Sequence, residues 1–347
     1  MKGLIPAFLV LLVSGCGGAV APTVTTPVAT NTTIAVGADV GWLTQLESLG
    51  YSWVDSTGTS ANVLQLLKNH GVNAIRIRTF VNPAITAGAL GVGDNDQAGS
   101  IALAKVASSM GFQIMIDFHY SDTWADPGHQ SIPAAWTGQS YAQVQTSVYN
   151  YTFDFMTALV AAGVTPQWVQ VGNEIDAGMM WPVGATSNFV QLTGLINSGY
   201  SAVKAVSATT QVVVHLSIIS DLTHFEWFFD ALVADGGHFD AIGGSYYDGP
   251  GTVTTVASNL NTLAARYGKP VMICEIGHSA SDAVGSGSDI ATAIEAMKAV
   301  PNQRGIGVFY WEPEAPDDAT TDGYSMGAVS ESAGKVLQFT NAIDSFE

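Results

Sequence analysis

The sequence predicts a single (β/α)8 barrel. Eight apolar, β-type runs recur along the chain, helix-like segments alternate with them, and clusters of polar and aromatic residues stand just beyond the runs. Near-continuous apolarity is what a parallel sheet covered on both faces requires. Eight such units in about 310 residues suit one closed barrel. A doubly wound open sheet is the alternative, but the turn after the first run, "VGADVGW", is not the Gly-rich phosphate loop that such sheets carry.

Taken in order, the strand runs are "TIAVGADV" near 33–40, "NAIRIRTF" near 73–80, "FQIMIDFHY" near 112–120 and "QWVQVGNE" near 167–174. Then come "QVVVHLS" near 211–217, "FDAIGGSYY" near 239–247, "PVMICEIG" near 270–277 and "GIGVFYWEP" near 305–313. Between them "SANVLQLLKNHG", "SIALAKVASSMG" and "FVQLTGLINSGYSAVKAV" place apolar residues at i, i+3, i+4, and several helices end in Gly.

Ahead of the barrel, "MKGLIPAFLVLLVSGCGG" reads as an export signal, one lysine before an apolar run too short to span a membrane. Val13-Ser14-Gly15-Cys16 resembles a bacterial lipobox, which predicts a signal over 1–16 and a lipid anchor on Cys16; an ordinary cleavable signal is the alternative. Residues 17–33, Thr- and Pro-containing, predict a flexible tether, and 34–347 the barrel. The second of the two cysteines, Cys274, falls in a strand run and is predicted to be a small buried hydrophobe. With 29 acidic against 11 basic residues, a net charge of −18, the chain repels nucleic acid and polyanionic sugars. A neutral substrate fits better, with the protein acting as a monomer.

In such barrels the chemistry sits where strands end. Here those positions hold Arg78, "HYSDTWADP", Asn173-Glu174, Tyr246-Tyr247, Glu275 and Trp311-Glu312. Glu174 and Glu275 follow apolar strands three βα units apart, which sets them facing across the mouth. Either carboxylate alone could simply pair with an arginine. Two opposed carboxyls are what glycoside hydrolysis needs, one protonated to release the leaving oxygen and one ionised. Arg78 is the expected partner of the ionised one, and Asn173 a donor to a sugar hydroxyl. Strand parity sets Arg76 and Asp117 on the same side of neighbouring strands, which predicts an ion pair stiffening the floor beneath Arg78 and His119. Trp124, Trp136, Trp181, Trp311, Tyr120 and Tyr246 offer flat faces for pyranose rings, packing under the loops being the alternative for each.

The stretches "GADVGWL", "LLKNHGVNAIRIRTFVNP", "DFHYSDTWADPGHQSIPAAW", "VQVGNEIDAGMMWPVG", "ARYGKPVMICEIG" and "VFYWEP" resemble, in order, the endo-β-1,4-galactanases of glycoside hydrolase family 53. The resemblance implies a retaining endo-hydrolase of β-1,4-galactan, with Glu174 as acid/base and Glu275 as nucleophile about 5–5.5 Å apart. It also implies substrate contacts at Arg78, His119, Asn173 and Trp311, to which the strand-end positions of Asp122, Trp124 and Tyr246 add three more expected contacts. No metal or organic cofactor is implied; a structural calcium, if bound, would use the acidic stretch "PDDATTDG" at 316–323. The chain departs from the family pattern at Phe80 and at Ile276-Gly277. A mannanase or cellulase on the same barrel, a non-catalytic surface glycan-binding lipoprotein and a ligand-free structural barrel are the rival readings.

Overall fold

The computed structural model describes residues 34–83, 94–249, 251–321, 323–332 and 334–346. The predicted signal and tether therefore lie outside the described residues. Eight parallel strands close on themselves: β1 (Ala35–Asp39), β2 (Ala74–Thr79), β3 (Gln113–Phe118), β4 (Trp168–Val171), β5 (Gln211–Leu216), β6 (Ala241–Tyr246), β7 (Val271–Ile276) and β8 (Gly305–Tyr310). Each lies inside a run predicted from sequence. Two short helices, α1 (Leu43–Ser48) and α2 (Val63–Asn69), join β1 to β2. The later crossings use α3 (Gln97–Ser109), α4 (Tyr141–Ala161), α5 (Phe189–Val206), α6 (Leu222–Ala234), α7 (Val253–Tyr267) and α8 (Ala283–Lys298). The end of the chain forms a hairpin, Val329–Ser332 with Val336–Phe339, that adds in parallel to Ser52–Val54, and then a 3-10 segment, Asn341–Phe346, beside α8.

Helix starts follow local chemistry. The side chains of Asn62, Asp96, Asn188, Asp221 and Asp282 each accept a backbone N–H of the first turn they precede, and Ser140 and Gln143 form a reciprocal capping box on α4. The outward strand faces and the apolar stripes of the helices make one continuous core around the barrel. The barrel interior is layered. Its floor is apolar, built from Ala35, Ala74, Met115, Trp168, Val213, Ala241, Met272, Cys274 and Phe309. Cys274 is fully buried there with a free thiol, as its sequence context predicts. One or two inward positions further along the same strands, the layer turns polar and holds Asp39, Arg76, Asp117, Gln170, His215 and Ser245, all buried.

Glu275 reaches this layer through a bulge. Met272 pairs with Gly243 and Ile273 with Gly244, but Glu275 pairs with Ser245, so Cys274 is the extra residue. The register against β8 slips at the same place. Strict alternation would put Cys274 inward and Glu275 outward; the bulge lets both face the interior.

Candidate active site

The polar layer is organised by one guanidinium. Arg76 Nε donates to Gln170 Oε1 at 3.1 Å, and Nη2 donates to Asp117 Oδ2 at 3.0 Å and Asn173 Oδ1 at 2.9 Å. Its Nη1 donates to Asp39 at 3.1 and 3.2 Å and meets Glu275 Oε1 at 2.9 Å. The predicted Arg76–Asp117 pair is thus part of a wider set in which one cation serves three carboxyl groups. Burial opposes ionisation of Asp117, yet Arg76 and His119 outweigh it and hold that carboxyl below its ordinary value. Burial wins at Asp39, whose carboxyl is pushed well up in spite of Arg76.

Arg78 does not meet Glu275, contrary to expectation. It lies under the aromatic roof, ion-paired with the buried Glu312 of the loop after β8. Glu312 also accepts the backbone N–H groups of Gly41 at 2.8 Å and Trp42 at 3.1 Å, so three donors hold it. The Arg78 guanidinium sits 4.5 Å from the Trp124 ring centroid and 5.1 Å from that of Trp42. A Cβ on Gly41 would overlap that guanidinium, which is why glycine stands there. The cation that meets Glu275 is instead one pleat deeper, Arg76.

Above the polar layer opens a cavity of about 360 Å³ lined by His119, Trp124, Ala125, Asp126, Asn173, Glu174, Tyr247, Glu275, Trp311, Tyr324 and Met326. Of the nine residues predicted for the site, Glu174, Glu275, His119, Trp124, Asn173 and Trp311 line it. Three do not. Arg78 is buried beneath. Tyr246 faces out of the barrel, buried, its hydroxyl donating to Gly249 O at 2.9 Å. Asp122 supports loops, accepting from Asn82 N at 3.0 Å and Ala134 N at 2.8 Å. Among the other aromatic candidates, Tyr120 and Trp136 are packed in the core, and Trp181 donates its indole N–H to Ala177 O.

Tyr247 stands where Tyr246 was predicted. Alternation along β6 carries Ser245 and the residue two beyond it into the barrel, and the Tyr247 hydroxyl donates to Glu275 Oε2 at 3.0 Å. That parity was the available signal. Trp42, Tyr324 and Met326 were not anticipated; they come from loops after β1 and β8 whose path no strand pattern sets. Tyr324 and Met326 line the central cavity, and with Trp42, Trp124 and Trp311 they border an adjoining one of about 340 Å³.

Glu275 therefore accepts from Arg76 and from Tyr247, one donor on each oxygen. Among the described residues no cation is in hydrogen-bonding contact with Glu174; its Oε1 accepts from Ser245 Oγ at 2.6 Å. Burial, followed by the nearby Glu275 charge, raises its pKa to about 8. Glu174 also holds a left-handed backbone, φ 44°, a conformation that costs a non-glycine residue about 1–3 kcal/mol and clusters at active sites. Gln130 Nε2 fixes it by donating to the carbonyls of Asn173 at 2.8 Å and Glu174 at 3.2 Å, while Ile175 N donates to His215 O at 3.0 Å. His119 Nδ1 accepts Ala125 N–H at 2.9 Å, so its Nε2–H faces Asp117 Oδ2 at 3.1 Å. In the acidic stretch after β8, Asp318 is engaged by the Tyr51 hydroxyl at 2.5 Å and Thr320 N at 2.7 Å; residue 322 is outside the described residues. Among the described residues no cluster of three or more His, Cys, Asp or Glu is placed to hold a metal ion.

A parallel barrel with two unlike carboxyl groups at the C-terminal mouth, in a cavity walled by aromatic side chains, defines a glycoside hydrolase. The chain belongs to glycosyl hydrolase family 53, whose model matches residues 35–346. It is 32% identical to a probable arabinogalactan endo-beta-1,4-galactanase A of Aspergillus terreus over 83% of this chain and 87% of that one. Among solved structures it is similar to a fungal beta-1,4-galactanase, with TM-score 0.81, 28% identity, and 90% of this chain and 99% of that chain covered. It is also similar to the family 53 catalytic domain of Ignisphaera aggregans, with TM-score 0.80, 29% identity, and 90% and 95% covered.

Replacing Asp117 by Asn leaves Arg76 with two carboxyl partners and removes one charge-assisted bond. We expect a loss of about 2 kcal/mol in unfolding free energy, read by chemical denaturation. Unchanged stability with activity abolished would mean instead that Asp117 acts chiefly through His119 on the substrate.

Proposed function

We propose that the protein is a retaining endo-β-1,4-galactanase working by double displacement. The observation that carries this is the contrast between the two carboxyl groups in one cavity: Glu174 buried, with a pKa near 8, and Glu275 held by a guanidinium and a phenol. At neutral pH Glu174 is protonated and donates to the departing glycosidic oxygen. Glu275 attacks the anomeric carbon, with Arg76 and Tyr247 holding one oxygen each. Once Glu275 is esterified its charge is gone, the Coulombic push on Glu174 falls, and Glu174 gives up its proton more readily. It then serves as the base that activates water. The galactan specificity is supported by the relatives' names, and endo cleavage by the adjoining cavity, which shares Trp124, Trp311, Tyr324 and Met326 with the central one and leaves room for a second sugar.

We propose further that the chain is exported and held at the cell envelope through Cys16, with no cofactor in the reaction.

Four measurements test these statements. Reducing-sugar release from galactan beside mannan and cellulose is expected on galactan alone; equal release on the others would favour the rival glycanases. The kcat/KM profile is expected to fall as pH rises through about 8, because the acid must be protonated. Azide should restore turnover of Glu275→Ala as an α-galactosyl azide, and of Glu174→Ala only with good leaving groups, as a β-azide; the reverse pattern would exchange the two roles. In a bacterial host, Cys16→Ala should move the protein from the membrane fraction to the soluble one.

A further inference from the structure

Beneath Glu174 lies a chain of buried polar groups that bulk packing does not call for. Ser245 Oγ is 2.6 Å from Glu174 Oε1 and 2.9 Å from His215 Nε2. His215 Nδ1 is 2.9 Å from Gln170 Nε2 and 3.0 Å from Asn173 Oδ1. Both Ser245 and His215 are buried in the barrel interior, and neither lines the cavity.

The direction of the hydrogen bonds can be worked out from the fixed end. Arg76 is only a donor, so Gln170 must turn its oxygen to Arg76 Nε. Its amide nitrogen then faces Asp117 Oδ1 at 2.8 Å and has one hydrogen left. Asn173 Oδ1 already accepts the charged Nη2 of Arg76 at 2.9 Å. The remaining Gln170 hydrogen has His215 Nδ1 at 2.9 Å, Asn173 Oδ1 at 3.1 Å and Gly172 O at 3.3 Å within reach, and we assign it to the nearest, His215 Nδ1. Burial, with Arg76 adding to it, pushes the imidazole pKa well down and keeps the ring neutral; with Nδ1 accepting from Gln170, its single proton is on Nε2. Nε2–H donates to Ser245 Oγ, and the serine hydroxyl donates to Glu174.

We infer that His215 and Ser245 are positioning residues for the acid/base: a one-way donor chain from Arg76 that commits Glu174 Oε1 to accepting, and so leaves the exchangeable proton on Oε2, towards the cavity. The inference rests on the assignment of Glu174 as acid/base. The donor chain also favours the carboxylate that burial and Glu275 disfavour, keeping the group able to return its proton in the second half of the reaction.

The test uses Ser245→Ala, Ser245→Thr, His215→Gln and His215→Asn, with kcat/KM profiles on galactan and on an aryl galactoside with a good leaving group. Loss of the donor in Ser245→Ala should move the alkaline limb up by about one pH unit and lower galactan turnover roughly tenfold, with a smaller loss on the aryl substrate. Ser245→Thr keeps the hydroxyl and should keep the wild-type limb. His215→Gln retains a donor near Nε2 and should resemble wild type, whereas His215→Asn, too short to reach Ser245, should move the limb as Ser245→Ala does. A Ser245→Ala limb coincident with wild type, or equal losses on both substrates, overturns the donor chain. Azide rescue of Glu174→Ala separates the two failures: no β-azide means the acid/base assignment itself is wrong, while normal rescue with an unmoved limb condemns only the chain.

Discussion

Everything at the barrel mouth depends on Arg76. A guanidinium presents five N–H donors in a rigid plane, and this one directs them to Asp39, Asp117, Glu275, Asn173 and Gln170. Lysine could not replace it, because an ammonium has three donors and no fixed plane. A buried cation is expensive unless its partners are complete, and here the partners are themselves the working parts. Ordering the cation therefore orders Glu275, the asparagine beside Glu174, and the glutamine that contacts His215. Asp39 absorbs the excess of negative charge: burial raises its carboxyl strongly, so the cluster need not hold three full charges around one cation.

The same hub explains why two glutamates in one cavity behave differently. Glu275 lies within contact of the guanidinium, and Glu174 does not. Glu174 instead depends on a neutral hydroxyl and feels Glu275 as a like charge. The difference is geometric, set by where the bulge in β7 and the left-handed turn after β4 deliver each side chain. A retaining mechanism needs such a split between acid and nucleophile, and the split disappears once the nucleophile is esterified.

Much of this was legible in the sequence, for identifiable reasons. Strand period and near-continuous apolarity mark all eight barrel strands, because a strand buried on both faces leaves no other pattern. Parity was enough to pair Arg76 with Asp117. It would also have selected Tyr247 over Tyr246, since the residue two beyond Ser245 must point inward. Parity fails at Cys274-Glu275, where a bulge inserts one residue that no composition signals. The choice of Arg78 as the carboxylate's partner failed for a related reason. The two arginines share a face, and which one meets Glu275 depends on depth. The competitor for Arg78, Glu312, is placed by two backbone N–H groups of the loop after β1. Loops are positioned by contacts distant in sequence, so Trp42, Tyr324 and Met326 left no local trace.

The aromatic roof bears on which glycan the mouth accepts. Trp42 and Trp311 cross at 71° with centroids 5.1 Å apart, Trp311 and Tyr324 at 80° and 4.7 Å, and Trp124 and Trp311 at 60° and 6.0 Å. These are edge-to-face contacts, so adjacent rings present surfaces steeply inclined to one another. A β-1,4 chain of glucose or mannose is joined through equatorial bonds and runs as a flat ribbon, best met by platforms lying nearly parallel. Galactose carries O4 axially, so a β-1,4 chain of it turns at every linkage, and successive rings show their faces at large angles. Walls inclined at 46–80° across two adjoining cavities are not a row of parallel platforms. Arg78 and Glu312 hold those walls at that inclination from below, through the contacts of the guanidinium with Trp42 and Trp124. The arginine that sequence set beside the ionised carboxylate thus supports the roof, while the deeper Arg76 holds Glu275.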